Sequence, residues 1–448
     1  MLCARSARAL PQPFVPDFHR EPMTMTNAMT MPVDAEQQPS IKPCRFCGAE
    51  LRQTFVDLGM SPLCESYPAA TELNRGEIYY PLHVYVCSEC FLVQLEEFES
   101  GESIFSDYAY FSSYSDSWLN HCEKYCGKMI ERFGLNSQSF VVEVASNDGY
   151  LLQYFLKQEI PILGIEPAAN VAKVAAEKGV PTLVRFFGAE LARELAHQGQ
   201  SADLLAGNNV LAQVPDLNDF VEGLKILLKP DGVATLEFPH LLQLIRRNEF
   251  DTIYHEHYSY FSLLTTAKIL EAHGLRVFDV EELASHGGSL RIYACRAESR
   301  AHDVCPAVAK VLQDEDHEGL NSLEGYQGFG QKVRRTKLAF VEFLVQAAKE
   351  GKSIAGYGAP GKSATLLQYC GVGVDLISYT VDRSPYKQGR FLPGSHIPIY
   401  HPDRIAEAKP DYVVILPWNL KDEIMRQLQF IRDWGGRFVV PIPEVAVY

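Results

Sequence analysis

Val141-Val-Glu-Val-Ala-Ser-Asn-Asp-Gly-Tyr150 is an apolar strand pattern running into a short polar turn, and the helix-like Leu151-Leu-Gln-Tyr-Phe155 follows at once. About twenty residues after Glu143, Pro161-Ile-Leu-Gly-Ile-Glu166-Pro167 repeats the strand and ends on an acid. Ala202-Asp-Leu-Leu-Ala-Gly207 and Val233-Ala-Thr-Leu-Glu-Phe238 continue the series, with helix-like segments between them. Strands that alternate with helices build a largely parallel sheet covered on both faces, so the fold class is α/β with a doubly wound central sheet.

In such a sheet the first turn brings backbone close to a nucleotide cofactor, and the acid after the second strand accepts hydrogen bonds from ribose hydroxyls. A pyrophosphate would call for G-x-G-x-x-G at that turn, but Ala145, Ser146 and Asn147 stand where the glycines would begin. A turn built from Glu143, Ala145, Asn147, Asp148 and Gly149 suits S-adenosylmethionine, which has no pyrophosphate. Glu166 and Pro167 then take the ribose position, and Asn208 and Asn209 follow the third strand, where adenine or methionine contacts belong. The plain alternative is an ordinary crossover with no ligand.

A second alternating series begins at Ser353-Ile-Ala-Gly-Tyr-Gly358 and continues through Leu376-Ile-Ser-Tyr-Thr-Val-Asp382 and Asp411-Tyr-Val-Val-Ile-Leu-Pro417. It reads as a smaller α/β domain over 351–448. Between the two series, 303–350 is charged and carries Leu, Val and Phe at helical spacing, which predicts one long connecting helix. Residues 1–40 have little apolar periodicity and crowd Met1, Met23, Met25, Met29 and Met31 together, so they read as a disordered leader with an internal translation start left open. The remaining segments are expected to form a metal-binding domain over 41–100 and the cofactor domain over 101–302.

Cys44-Arg-Phe-Cys47 and Cys87-Ser-Glu-Cys90 are two C-x2-C pairs separated by 39 residues. Each pair can aim two thiolates at one ion, and four sulfurs complete the tetrahedral shell of a structural zinc site. The eleven cysteines are odd in number and lie in a large chain, which argues against a disulfide framework.

The whole chain of 448 residues sets 41 basic against 56 acidic side chains, for a net charge of -15. That balance excludes a protein that coats nucleic acid, whose affinity rests on Lys and Arg. No apolar run reaches the 18 to 20 or so residues needed to cross a bilayer. A soluble, multidomain, cytoplasmic protein that engages neither nucleic acid nor membrane is expected, as a monomer or homodimer.

Asp251-Thr-Ile-Tyr254-His255-Glu256-His257-Tyr258-Ser-Tyr260 crowds titratable groups together. As acid/base chemistry, a histidine here removes a proton alpha to a carbonyl, a carboxylate orients it, and a tyrosine donates to the developing enolate. The H-x-H pair could also be a metal site, although a third ligand at suitable spacing is missing. His286-Gly-Gly-Ser289-Leu-Arg291 is a polar loop suited to an oxygen-rich ligand, or simply a turn before a strand. Gly356-Tyr357-Gly-Ala-Pro-Gly361-Lys362-Ser363 satisfies the P-loop pattern, but Pro360 removes a phosphate-cradling amide and no acidic magnesium ligand is obvious downstream. Asp382, after the next strand, fits a ribose contact as readily.

As an ordered set, the paired cysteines, VVEVASNDGYLLQYF, GIEPAANVA, GNNVLAQVPDLNDF, FDTIYHEHYSYFS, HGGSLRIY and GYGAPGKSATLLQYC resemble the three-part sugar C-methyltransferase family. The resemblance runs from about Lys42 to the C-terminus. It implies an N-terminal zinc domain, a central S-adenosylmethionine-binding domain and a C-terminal Rossmann-like domain that holds a nucleotide-linked 4-keto-deoxy sugar. It places the family's Tyr-x-Glu-His motif on Tyr254, Glu256 and His257, with His257 as base, Tyr254 as the competing base and Glu256 orienting the histidine. The Asp107-Tyr108-Ala-Tyr-Phe-Ser-Ser-Tyr114 segment resembles the part that closes over the cofactor. Two positions depart from the pattern: Gln213 stands where a histidine is usual, and Ser363, which alone completes the P-loop match, replaces a glycine. An acidic chain must grip an anionic nucleotide sugar with few cations, so Arg291, Lys362, Arg383 and Lys387 are expected to matter, alongside Tyr357, His286 and Ser289. A non-sugar carbon acid as acceptor, a non-catalytic zinc-bearing binding protein and a P-loop ATPase are the rival readings.

Overall fold

The computed structural model describes residues 42–105 and 111–448, so the expected leader and Tyr108 lie outside the described residues. The chain first forms two tight knuckles and a small antiparallel sheet. In the first knuckle the Gly48 amide donates to the Cys44 carbonyl (2.9 Å), and in the second the Phe91 amide donates to the Cys87 carbonyl (3.0 Å). Strands β1 (Gln53–Ser61), β2 (Tyr80–Val86) and β3 (Val93–Leu95) pair antiparallel. Their inward residues, such as Val56, Leu58, Val84 and Val93, are buried. A fourth strand, Ser259–Tyr260, comes from far along the chain and pairs with β3.

The central sheet takes β4 (Val141–Val144), β5 (Ile162–Ile165), β6 (Thr182–Leu183), β7 (Ala202–Asn208) and β8 (Leu228–Pro239) in parallel. After β9, the Ser259–Tyr260 strand, the chain adds β10 (Leu275–Leu283) and β11 (Ser289–Arg296). The spatial order is β10-β11-β8-β7-β4-β5-β6, with β11 antiparallel to both neighbours. Every residue of β4 is buried, as a parallel strand covered on both faces requires. The order reverses between β4 and β7, the crevice where an open α/β sheet binds its ligand. The helix Asp116–Phe133 begins on Ser115, whose hydroxyl accepts from the Trp118 amide at 3.3 Å, and ends on left-handed Gly134.

The single long helix expected over 303–350 is instead two helices, Pro306–His317 and Phe329–Lys349. Between them Gly319 and Gly328 take φ values of 78° and 79°, a left-handed turn that ends helical hydrogen bonding. The third sheet comprises β12 (Ile354–Tyr357), β13 (Thr380–Val381), β14 (Ile399–Tyr400), β15 (Tyr412–Ile415), β16 (Arg437–Val440) and β17 (Ala446–Val447). Its order, β14-β13-β12-β15-β16-β17, is parallel except for β17 and reverses between β12 and β15.

Residues 42–448 form one compact unit. One apolar core joins β1–β3, the helix Phe329–Lys349 and the third sheet. Another joins one face of the central sheet to Cys44, Cys87 and Cys90 of the knuckles. Among the described residues no helix is long and apolar enough to cross a membrane.

Candidate active site

A cavity of about 1380 Å³ opens where the C-terminal ends of β4, β5 and β7 face the third sheet, and all three lobes contribute to its wall. That volume exceeds what one drug-sized ligand needs, roughly 300 to 1,000 Å³, so two ligands fit side by side.

On the central-sheet side, Ala145, Asn147 and Asn209 adopt φ values of 57°, 48° and 55° and line the cavity with turned backbone. Glu166 lines it too, and its two carboxylate oxygens accept from the Asn147 and Ala168 amides, each at 2.9 Å. Burial pushes its pKa up while those two amides oppose the rise. Both polar atoms of the Asn208 amide and the Oδ1 of Asn209 are buried without a hydrogen-bond partner. Buried polar atoms need partners, and a ligand rich in donors and acceptors would supply them here. The residues present therefore fit S-adenosylmethionine. Pro167 lines the cavity beside Glu166, whereas Glu143, Asp148 and Gly149 stand behind the wall. Glu143 is 0% exposed and burial holds its pKa well above the carboxylate range. Asp148 accepts from the Ser113 amide (3.3 Å) and pairs with Lys178 (3.2 Å), and Gly149 packs on Val180.

Tyr254 and His257 face the same cavity with ring centroids 4.1 Å apart. The Nδ1 of His257 lies 2.9 Å from the Thr252 carbonyl, which can only accept, so Nδ1 carries the proton and Nε2 keeps its lone pair. Burial lowers the histidine to about 4, against the pull of that carbonyl. Burial raises the Tyr254 phenol far above its usual value, which keeps it a donor and disfavours it as base. Glu256 does not orient His257 as the resemblance implied; the Thr252 carbonyl does. The Cys64 thiol, brought in from the N-terminal lobe, donates instead to Glu256 Oε1 at 3.4 Å. His255 turns away, its Nε2 3.2 Å from the Pro81 carbonyl. The third lobe braces the loop: Thr365 donates to the Ile253 carbonyl and Trp418 Nε1 to Asp251, both at 2.7 Å.

His286, Tyr357, Lys362, Asp382, Arg383 and Lys387 line the cavity. Lys362 Nζ donates to Asn419 Oδ1 at 3.0 Å, and Arg383, 59% exposed on its side chain, makes a long ion pair with Asp116 at 4.0 Å. Asp382 is already engaged by the Ala359 amide (2.6 Å) and the Ser384 amide (2.8 Å). Lys387 meets the Tyr67 hydroxyl (2.9 Å), the Ala359 carbonyl (2.9 Å) and Glu65 (3.3 Å), so its three donors brace the wall rather than await a ligand. Two expected ligand contacts are corrected, because β11 turns both side chains away from the cavity. Arg291 is buried on Glu237 at 2.6 Å, and the Ser289 hydroxyl donates to the Ser285 carbonyl. The P-loop match is disarmed, since Ser363 spends its hydroxyl on the Pro360 carbonyl at 2.6 Å.

The residues that sequence reading missed include His121, which lines the cavity, stacks on Trp118 and lies 3.0 Å from Glu237. Burial alone would raise Glu237, but the His121 hydrogen bond and the Arg291 charge hold it down at about 2. The three-residue spacing of Trp118 and His121 on a helix was the available signal.

The four cysteine sulfurs of the knuckles all lie within 4.8 Å of one another, with Cys44–Cys90 at 3.6 Å and Cys47–Cys87 at 3.5 Å. Bonds of about 2.3 Å to a tetrahedral zinc place sulfurs roughly 3.8 Å apart, so the set fits that ion.

Family models match the chain in three stretches: residues 44–105 a "Putative zinc binding domain", 118–280 a "Methyltransferase domain" and 284–443 a "C-methyltransferase C-terminal domain". The chain is 38% identical to the C-methyltransferase NovU of Streptomyces niveus over 407 residues, which is 91% of this chain and 97% of that protein. Among solved structures it is similar over 40% of its length to the magnesium protoporphyrin IX methyltransferase of Synechocystis with bound SAM (14% identity, 82% of that chain, TM-score 0.30). It is also similar over 38% to a SAM dependent methyltransferase from Aquifex aeolicus (19% identity, 87% of that chain, TM-score 0.28).

Proposed function

The chain belongs to the zinc-binding, S-adenosylmethionine-dependent C-methyltransferase family, and we propose that its acceptor is the carbon alpha to the ketone of a nucleotide-linked 4-keto-deoxy sugar. The observation that carries this reading is the base. His257 has its Nδ1 proton committed to the Thr252 carbonyl and a free Nε2 lone pair in the cavity that also receives the cofactor turn.

When bound, S-adenosylmethionine supplies an electrophilic methyl group. The chain's own part is to make and hold the nucleophile. His257 Nε2 takes the proton from the acceptor carbon, and the bonding pair moves into the enolate. The neutral Tyr254 phenol, its ring centroid 4.1 Å from that of His257, donates to the developing enolate oxygen. Lys362 and Arg383 offer positive charge to a diphosphate on the third-lobe side. Holding carbon and methyl in line lowers the remaining barrier by positioning. Zinc held by Cys44, Cys47, Cys87 and Cys90 would fasten the N-terminal knuckles together, and four thiolate ligands would leave it a structural ion rather than part of the transfer.

Purified protein incubated with labelled S-adenosylmethionine and a panel of nucleotide-linked 4-keto sugars, beside non-sugar keto acids, tests the reading. A carbon-bound methyl next to the ketone of at least one sugar is expected. Methylation of the keto acids alone would overturn the sugar acceptor.

A further inference from the structure

Arg45 lies between two zinc ligands, yet its side chain leaves the knuckle and reaches the cavity wall. One terminal nitrogen donates to the Pro215 carbonyl at 2.7 Å, the other to the Leu95 carbonyl at 2.6 Å. The guanidinium carbon lies 5.3 Å from the ring centroid of Tyr258, the residue next to His257. We propose that Arg45 is a positioning residue for methyl transfer, and that with Gln94 it makes the zinc knuckle the support that sets where His257 stands. The proposal rests on His257 being the base.

The physical path is short. Gln94 Nε2 donates to Cys44 Sγ at 3.1 Å, and its Oε1 accepts from the Arg45 amide at 2.9 Å. Gln94 is also the β3 residue that pairs with Ser259, two positions after His257. The Leu95 amide donates to the Tyr258 carbonyl (2.9 Å), and the Tyr258 amide to the Ala212 carbonyl (2.7 Å). The loop bearing the base is thus stitched to the strand that touches a zinc ligand. On the other side of the knuckle, Asn218 donates to the Arg45 and Phe46 carbonyls at 3.2 and 3.0 Å, fixing the helix Leu217–Leu227.

The choice of partners supports a positioning role. Arg45 spends both terminal nitrogens on main-chain carbonyls of two segments that flank the catalytic loop, and the planar fork holds those two directions together. A lysine could keep the charge over Tyr258, but its flexible point charge lacks the rigid planar fork that fixes the two carbonyl directions relative to each other.

The test compares wild-type protein with Arg45→Ala and Arg45→Lys, each assayed for zinc content, for KM and kcat, and for amide exchange of the 250–262 segment by mass spectrometry. Arg45→Ala is expected to keep one zinc per chain and a cofactor KM within about threefold, and to lose up to about a hundredfold in kcat, the scale of a 1 Å misplacement. Exchange over 250–262 should quicken, and Arg45→Lys should recover part of both. An Arg45→Ala protein with unchanged kcat and unchanged exchange, or one that loses its zinc, would overturn the proposal. If the wild type methylates no keto sugar, the acceptor reading fails, and exchange in zinc-loaded protein alone decides the role of Arg45.

Discussion

His257 shows how one main-chain carbonyl decides a side chain's chemistry. Because the Thr252 carbonyl fixes the Nδ1 proton, the free lone pair is on Nε2, and because burial lowers the pKa to about 4, that lone pair is available at neutral pH. Replacing His257 by alanine is expected to cut kcat by about a hundredfold or more, the usual range for a general base, while cofactor binding measured by calorimetry stays intact. The pH profile gives the second reading. An unperturbed histidine would impose an acid limb near 6.5; this one stays neutral down to about 4, so kcat/KM should hold through pH 5.5 and fall only below it. The same shift has a stability sign. The unfolded chain takes up the proton at about 6.5 and the folded one only at about 4, so the stabilisation is complete above 6.5 and is lost as pH falls toward 4. An acid limb at 6.5 would show that the imidazole is not held as described. The Tyr-x-Glu-His pattern was legible in the sequence. The contact of Glu256 with Cys64 was not, because Cys64 is 192 residues away along the chain and nothing local announces it.

Elements were legible where their pattern is local. The runs at Val141, Pro161, Ala202 and Ser353 are strands because each alternates with a covering helix, and both cysteine pairs fold as knuckles because the spacing already dictates a tight turn. Others escaped, two of them for clear physical reasons. Ser259–Tyr260 reads as part of a polar cluster, and only the distant β3 makes it a strand. The 303–350 segment keeps its helical period on both sides of a glycine break, so period alone could not find the corner. That corner has a use. It returns the helix Pro306–His317 so that Glu315, 0% exposed, accepts from the Leu263 amide (2.6 Å), the Leu264 amide (2.8 Å) and His240 (2.6 Å). A carboxylate there satisfies the open amides of the helix Leu263–Ala272 and complements its dipole. Glu315→Ala strands these buried donors and should cost about 3 to 5 kcal/mol, read as a lower denaturant midpoint at unchanged slope. A loss below about 1 kcal/mol would mean that the segment relaxes and the clamp is dispensable.

At the scale of the molecule, the order of lobes along the chain is not the order of packing. The N-terminal sheet shares its core with the third sheet, although nearly the whole central domain lies between them in sequence. The knuckle cysteines belong to the core of the central sheet, so the small N-terminal lobe joins the two larger ones. The order of motifs marked out the lobes and composition the acidic balance, but neither gave this arrangement, since apolar content says how much core exists and not which segments share it. One consequence is that zinc should stabilise residues it never approaches. If binding free energy at the four cysteines is folding free energy for the N-terminal sheet, stripping the metal loosens the surface on which the third sheet packs. Two of the chain's three tryptophans, Trp418 and Trp434, lie in that third lobe. In a Trp118→Phe protein, fluorescence excited selectively at tryptophan therefore comes from Trp418, at the contact of the third lobe with Asp251, and from Trp434. A chelator should move its thermal midpoint down by several degrees, and added zinc should restore it. Were the lobes independent, as their separation in sequence would suggest, the tryptophan signal would melt at the same temperature with and without the metal.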